Sequence, residues 1–99
     1  MSIYSTLQGT GLPCAYSHFG TPQTPPYIVY IGNGQETFQA DNTHYWKKNA
    51  YKVEYYFTAK NEQNEASIED ALLSAGYLYE KSEDVFIEDQ NVFVIYYYI

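Results

Sequence analysis

The chain has 99 residues, of which 45 % are apolar and 13 are tyrosine, and twelve acids against five lysines set its formal net charge at −7. A chain this short makes one domain (1–99) and buries only about 60–65 % of its unfolded surface, so its core is marginal and open to support from partner subunits. It has no arginine and no basic face, which argues against a static grip on nucleic acid, and no apolar run approaches the roughly 18 residues that span a bilayer.

In chain order, Ser2 caps a short helix carried by Ile3 and Leu7, which Gly9 and Gly11 stop. Leu12 to Phe19 reads as a strand with Pro13 at its entry. Gly20 to Pro26 is an ordered, extended connector between strands. Tyr27 to Ile31 is unbroken apolar sequence, the pattern of a strand buried on both faces. Gly32-Asn33-Gly34 is expected to turn the chain, because these residues tolerate positive φ. Gln35 to Ala40 then returns as the second arm of a hairpin, and a further turn at Asp41 to His44 leads on to Tyr45.

Asn49 to Ala59 is the organising stretch. Tyr51, Val53, Tyr55, Phe57 and Ala59 alternate with Ala50, Lys52, Glu54, Tyr56 and Thr58, the period of a long strand with one buried face. After Lys60 the period changes. Asn61 or Asn64 caps a helix over 65–75, with Glu62 and Glu65 favourable to its dipole and Ile68, Ala71, Leu72 and Ala75 as its apolar stripe. Gly76 ends it. Tyr77–Lys81 and Val85–Ile87 are strand-like, Glu88–Asn91 is a polar turn, and Val92–Ile99 is a last apolar strand. Such a strand must be central in the sheet or covered by a neighbouring subunit, since an open edge of that composition aggregates.

No constellation announces a reaction. Glu80, Glu83, Asp84, Glu88 and Asp89 crowd together but lack the alternation and glycine of a calcium loop, so they read as a solvated flank. His18 and His44 lack metal-ligand spacing. Cys14 and His18, four apart on a strand, would stand about 13 Å from each other, too far for a nucleophile–base pair. No catalytic, cofactor-binding or metal site is expected. Trp46 with Lys47 and Lys48 is the one basic-aromatic spot. Cys14 has no internal disulfide partner and no secretory core opens the chain, which points to assembly in a cytoplasm.

The ordered segments GLPCAYSHF, PPYIVYIGNGQETFQADNTHYW, YKVEYYF and GYLYEKSEDVFIEDQNVFVIYYYI resemble small structural proteins of siphoviruses and prophages of Firmicutes. The likeness runs over nearly the whole chain and rests on general sequence character. It implies the tail-terminator and tail-completion group: α+β proteins that form a hexameric ring at the head–tail junction of the virion, between the connector proteins and the major tail tube protein. The group has no catalytic residues to carry over. At −7 per subunit a hexamer would carry about −42, and a lumen of that sign would let DNA pass without sticking.

The expected architecture is therefore a mainly antiparallel sheet of four to five strands, with the 65–75 helix on one face and the short N-terminal helix beside it. Tyr27, Val29, Tyr30, Gly32, Gly34, Tyr96, Tyr97 and Tyr98 are the expected subunit contacts, from the apolar character of their strands. Phe38, Tyr45, Trp46, Lys47 and Lys48, on the long hairpin around Gln35–Trp46, are expected to reach axial partners. The nearest alternative is a tail-completion or head–tail joining ring. A small acidic inhibitor of a host enzyme is an alternative of another class, although such a mimic would spread its carboxylates in rows, whereas here they gather in the last third. A small hydrolase is disfavoured for want of an acid/base or nucleophile pair.

Overall fold

The computed structural model describes residues 2–40 and 44–99, with side chains described outside 36–48. Eight elements follow one another: α1 (Ile3–Gln8), β1 (Cys14–Tyr16), β2 (Tyr27–Ala40), β3 (His44–Phe57), α2 (Glu62–Ser74), β4 (Glu80–Lys81), β5 (Val85–Ile87) and β6 (Val92–Tyr98). The class is α+β. The sheet runs β1-β2-β3-β6, with β4 and β5 sharing the far edge of β6. It thus has six strands in five positions, because the polar 82–84 segment splits the last edge in two. It is mixed rather than wholly antiparallel: β1 pairs parallel to β2, and every other pair is antiparallel.

Both helices lie on one face. Ile3 and Leu7 of α1 and Ile68 and Leu72 of α2 pack on Ile28, Tyr30, Val53, Tyr55, Phe57, Ile95 and Tyr97. The Ser2 hydroxyl accepts from the Ser5 N–H to start α1, and the Asn61 side chain accepts from the Asn64 N–H to start α2. α2 therefore begins three residues before the expected 65–75 boundary. Its end is as expected: Ala75 caps it and Gly76 turns away at φ +88°.

The alternation in β3 holds through Phe57, where the strand stops short of Ala59. β1 is much shorter than Leu12–Phe19, because Ser17 takes φ +66° and leads the chain out of the ladder. Gly32–Gly34 does not reverse the chain. β2 continues through it, and the register with β3 slips by one residue between Gly32 and Gln35, with Gly34 at φ +84°. This is a β-bulge, which needs the same permissive backbone as a turn. Gln35–Ala40 is accordingly the outward half of β2, paired with His44–Asn49 of β3. Of the turn expected at 41–44, residues 41–43 lie outside the described residues, and His44 already belongs to β3.

β6 pairs with β3 only from Lys52 to Phe57, with Tyr51 and Ile99 exchanging backbone bonds at 3.2 and 3.0 Å. Beyond that point β2 and β3 pair only with each other among the described residues. The result is a two-stranded ribbon about 20 Å long attached to the sheet. It accounts for a molecule of 50 × 26 × 26 Å.

Candidate interaction surfaces

The strand register places Tyr27, Val29 and Ile31 of β2, Lys52, Glu54 and Tyr56 of β3, and Val92, Val94, Tyr96 and Tyr98 of β6 on the sheet face opposite the helices. No helix covers this face among the described residues, yet Val94 is fully buried and Val29 nearly so. Aromatic side chains roof them. Tyr27 and Tyr56 stack with centroids 5.0 Å apart, Phe19 meets Tyr27 edge-on at 5.4 Å, and Tyr96 and Tyr98 stack at 6.2 Å. Lys52 Nζ sits 5.3 Å above the Tyr96 ring and 3.5 Å from Glu54, and the Tyr56 hydroxyl donates to Glu54. The loop from Ser17 to Gln23 walls a hollow at one end of this face, floored by Tyr27, Val29 and Tyr56. Flat, rigid aromatic area with a few polar tips is the composition of contact surfaces.

The expected interface residues divide between the two faces. Tyr27, Val29, Tyr96 and Tyr98 lie on the helix-free face. Tyr30 and Tyr97 lie on the other, inside this chain's own core, where neither can meet another molecule without unfolding. Adjacent strand residues point oppositely, so a cluster such as Tyr96-Tyr97-Tyr98 cannot act as one surface. Gly32 and Gly34 flank the bulge at the root of the ribbon. Phe38, Tyr45, Trp46, Lys47 and Lys48 all belong to the ribbon, with position 38 opposite 46 and position 37 opposite 47. The C-terminal strand is central, between β3 and the β4–β5 edge, and its pairing requires no neighbour.

A buried ionic network is the feature that periodicity missed. Glu65, expected as a helix-dipole residue, is 3 % exposed beneath α2. Its Oε1 is 2.9 Å from Lys81 Nζ on β4, and its Oε2 is 2.7 Å from Lys60 Nζ, an ion pair out of line for a directed hydrogen bond. Lys81 also binds Glu69 at 2.8 Å, Tyr97 donates to Glu69 at 2.8 Å, and Lys60 reaches Asp84 at 3.0 Å. Burial pushes the Glu65 and Glu69 carboxyls upward, but Lys60 and Lys81 at Glu65, and Lys81 with the Tyr97 and Tyr79 hydroxyls at Glu69, outweigh it and hold both below the usual carboxylate range. A general acid working near neutrality needs the opposite shift. The network pins α2 to the β4 edge. Its trace in the sequence is that Glu65 falls on the stripe of Ile68 and Leu72, three and seven residues on.

Elsewhere the chemistry is sparse. Cys14 is half-buried against the core, and burial raises its thiol pKa, which lowers its reactivity. His18 is exposed beside Ser17. Among the described residues no three His, Cys, Asp or Glu side chains are grouped to hold a metal ion, and no helix is long and apolar enough to cross a membrane. Glu80 on β4, Glu83 in the segment between β4 and β5, and Glu88 and Asp89 in the turn after β5 are exposed. Leu78 before β4 is 77 % exposed and Phe86 on β5 47 %.

Six tyrosines (Tyr27, Tyr30, Tyr55, Tyr56, Tyr79 and Tyr97) have phenol pKa values raised first by burial and then, at Tyr27, Tyr56, Tyr79 and Tyr97, by nearby carboxylates. A raised folded pKa gives stability that is complete below the unfolded value of about 10 and is lost as pH climbs toward the folded values. Absorbance titration should therefore show a late phenolate phase coincident with loss of the sheet's circular dichroism. Ionisation of all the tyrosines in one reversible step near pH 10, with the fold intact, would contradict this packing. No protein-family model matches this chain, and no curated protein is significantly similar to it.

Proposed function

We propose that this chain is a ring-forming structural protein of a long-tailed phage that sits at the head–tail interface of the virion. Its most specific role is as the tail terminator that ends polymerisation of the tail tube and docks the tail to the head connector. The observation that carries this reading is the two-stranded ribbon extending beyond a small acidic body. An isolated two-stranded hairpin is marginal in water, so a ribbon whose edges have no strand partner among the described residues suits a subunit whose contacts are completed by other molecules. The helix-free aromatic face offers a second contact area. Seven excess negative charges per subunit suit a channel through which DNA passes without adhering. The six-stranded α+β architecture is compatible with a ring subunit and does not by itself select this function.

The test is incubation of the purified protein with the major tail protein of the same phage, followed by negative-stain microscopy. Rings at one tube end with growth arrested support the terminator. Unchanged tube growth with binding to connector-bearing heads moves the protein to the completion ring. Binding to neither, with inhibition of a host enzyme by a monomer, replaces the structural role with that of an acidic inhibitor.

A further inference from the structure

We infer that two copies of this chain pair about a two-fold axis through the sheet edge formed by α1, β1 and the 17–23 loop. The inference goes beyond the ring reading and does not rest on it. All twelve acids and all five lysines follow residue 35, and there is no arginine. The first 35 residues build α1, β1 and the start of β2, which together make one whole edge of the sheet. The net charge of −7 therefore resides on the rest of the molecule, with Glu80, Glu83, Glu88 and Asp89 on or beside the strands of the opposite edge.

The uncharged edge has the character of a contact surface. β1 is the outer strand and, among the described residues, pairs on one side only, with β2. It carries none of the charged side chains that keep exposed edges apart. Tyr16 is 54 % exposed and Tyr4 42 %, and both rest against Tyr30, at 5.2 and 6.3 Å between ring centroids. Gln8, Leu12, Cys14 and Phe19 join Tyr4 around a hollow whose lining comes wholly from the first 19 residues. Aromatic side chains without charge are the composition of an interface core. The second copy is selected by its charge. It carries the same −7, so an approach through its acidic sides is opposed. Every other side it could offer bears charged groups, even the helix-free face with Lys52 and Glu54, and covering those strips them of water. Edge against equivalent edge covers none, and that arrangement is isologous. A standard contact takes about 800 Å² per partner, roughly an eighth of the 6479 Å² surface, which one edge can supply.

Sedimentation velocity of the whole chain, with Cys14 kept reduced, tests this. Wild type should show a monomer–dimer equilibrium that strengthens with salt, because screening relieves the repulsion between two acidic bodies and leaves the neutral contact alone. Tyr16→Glu and Gln8→Glu, each checked by thermal unfolding to be folded, should dimerise at least about tenfold more weakly. Gln8 is exposed on α1, so its replacement keeps the test open if the Tyr16 variants unfold. Gln63→Glu, which adds the same charge to the exposed first turn of α2, should dimerise as wild type does. An equimolar mixture of Tyr16→Glu and Tyr16→Lys should regain association, since a two-fold axis at β1 brings position 16 close to its own equivalent. A wild type monomeric at every attainable concentration, an undiminished Gln8→Glu dimer, a mixture that fails to recover, or a dimer that salt dissociates would overturn the contact. Pairing and tube capping fail separately. A monomeric wild type that still caps tail tubes removes the two-fold contact alone, and a dimer that leaves tube growth unchanged removes the terminator role alone.

Discussion

Tyr97→Asp is expected to abolish folding, while Tyr98→Asp, one residue on, should leave a folded protein. The Tyr97 side chain is fully buried on the helix face, edge-on to Tyr79 at 5.5 Å, with its hydroxyl donating to Glu69. Replacing it with aspartate removes an aromatic side chain from the core, worth about 3–5 kcal/mol. It also places a carboxyl close to two carboxylates that already share their lysines. The sum approaches the whole stability of a small domain, about 5–15 kcal/mol. Tyr98 is 41 % exposed on the opposite face and stacks only on Tyr96. Its replacement should cost about 1 kcal/mol or less and act, if anywhere, on contacts made by the helix-free face. Circular dichroism of the two purified variants decides the matter. A folded Tyr97→Asp protein, or an unfolded Tyr98→Asp protein, would reverse the assignment of the two faces. Loss of assembly in Tyr97→Asp or Tyr30→Asp is consequently no evidence of an interface.

Lys81→Met should lower stability at pH 7 by about 2–3 kcal/mol, a fall in melting temperature of roughly 10–15 °C. Lys81 bridges Glu65 and Glu69 at 2.9 and 2.8 Å, and without it only Lys60, itself half exposed, balances the buried Glu65. The loss stays below the largest values for broken buried pairs, because the Lys81 side chain retains 35 % exposure and water screens part of the interaction. The pH dependence follows from the two carboxyls. Their folded pKa values lie below the usual range, so they stabilise the native state above the unfolded value of about 4.3 and cease to do so as pH falls through the folded values. The gap between wild type and Lys81→Met should therefore be widest near neutrality and shrink in acid, as pH falls through the folded values of the two carboxyls. Urea unfolding across that range measures it. A gap constant with pH, or one that widens in acid, would show that Lys81 acts through packing alone.

Several features of the fold were legible because they depend on local rules. The alternation from Tyr51 to Phe57 assigns one face of β3 to the core, since consecutive strand residues always point oppositely. The Ile68 and Leu72 stripe, begun by an asparagine cap and ended by Gly76, defines α2 to within three residues at its start. Ser2 and the polar run Glu88–Asn91 similarly mark a helix start and a turn. The α+β class follows from these elements together.

What only the tertiary structure decided depends on which strand lies beside which. Gly32–Gly34 permits positive φ in a turn or in a bulge, and it is the pairing of Gln35–Ala40 with His44–Asn49 that makes it a bulge and extends β2 into the ribbon. The run from Val92 to Tyr98 is apolar on both sides, so its own pattern does not say whether another subunit or this chain covers it. The β4–β5 edge supplies the answer, and leaves Tyr97 in the core with Tyr96 and Tyr98 outside it. Glu65 looks like any acid in a first helical turn until β4 brings Lys81, and the α2 entry brings Lys60, to its two oxygens. Local sequence determines which way a side chain points along its own element. Burial and charge pairing are properties of the neighbour it meets, and that neighbour is chosen only when the whole chain closes.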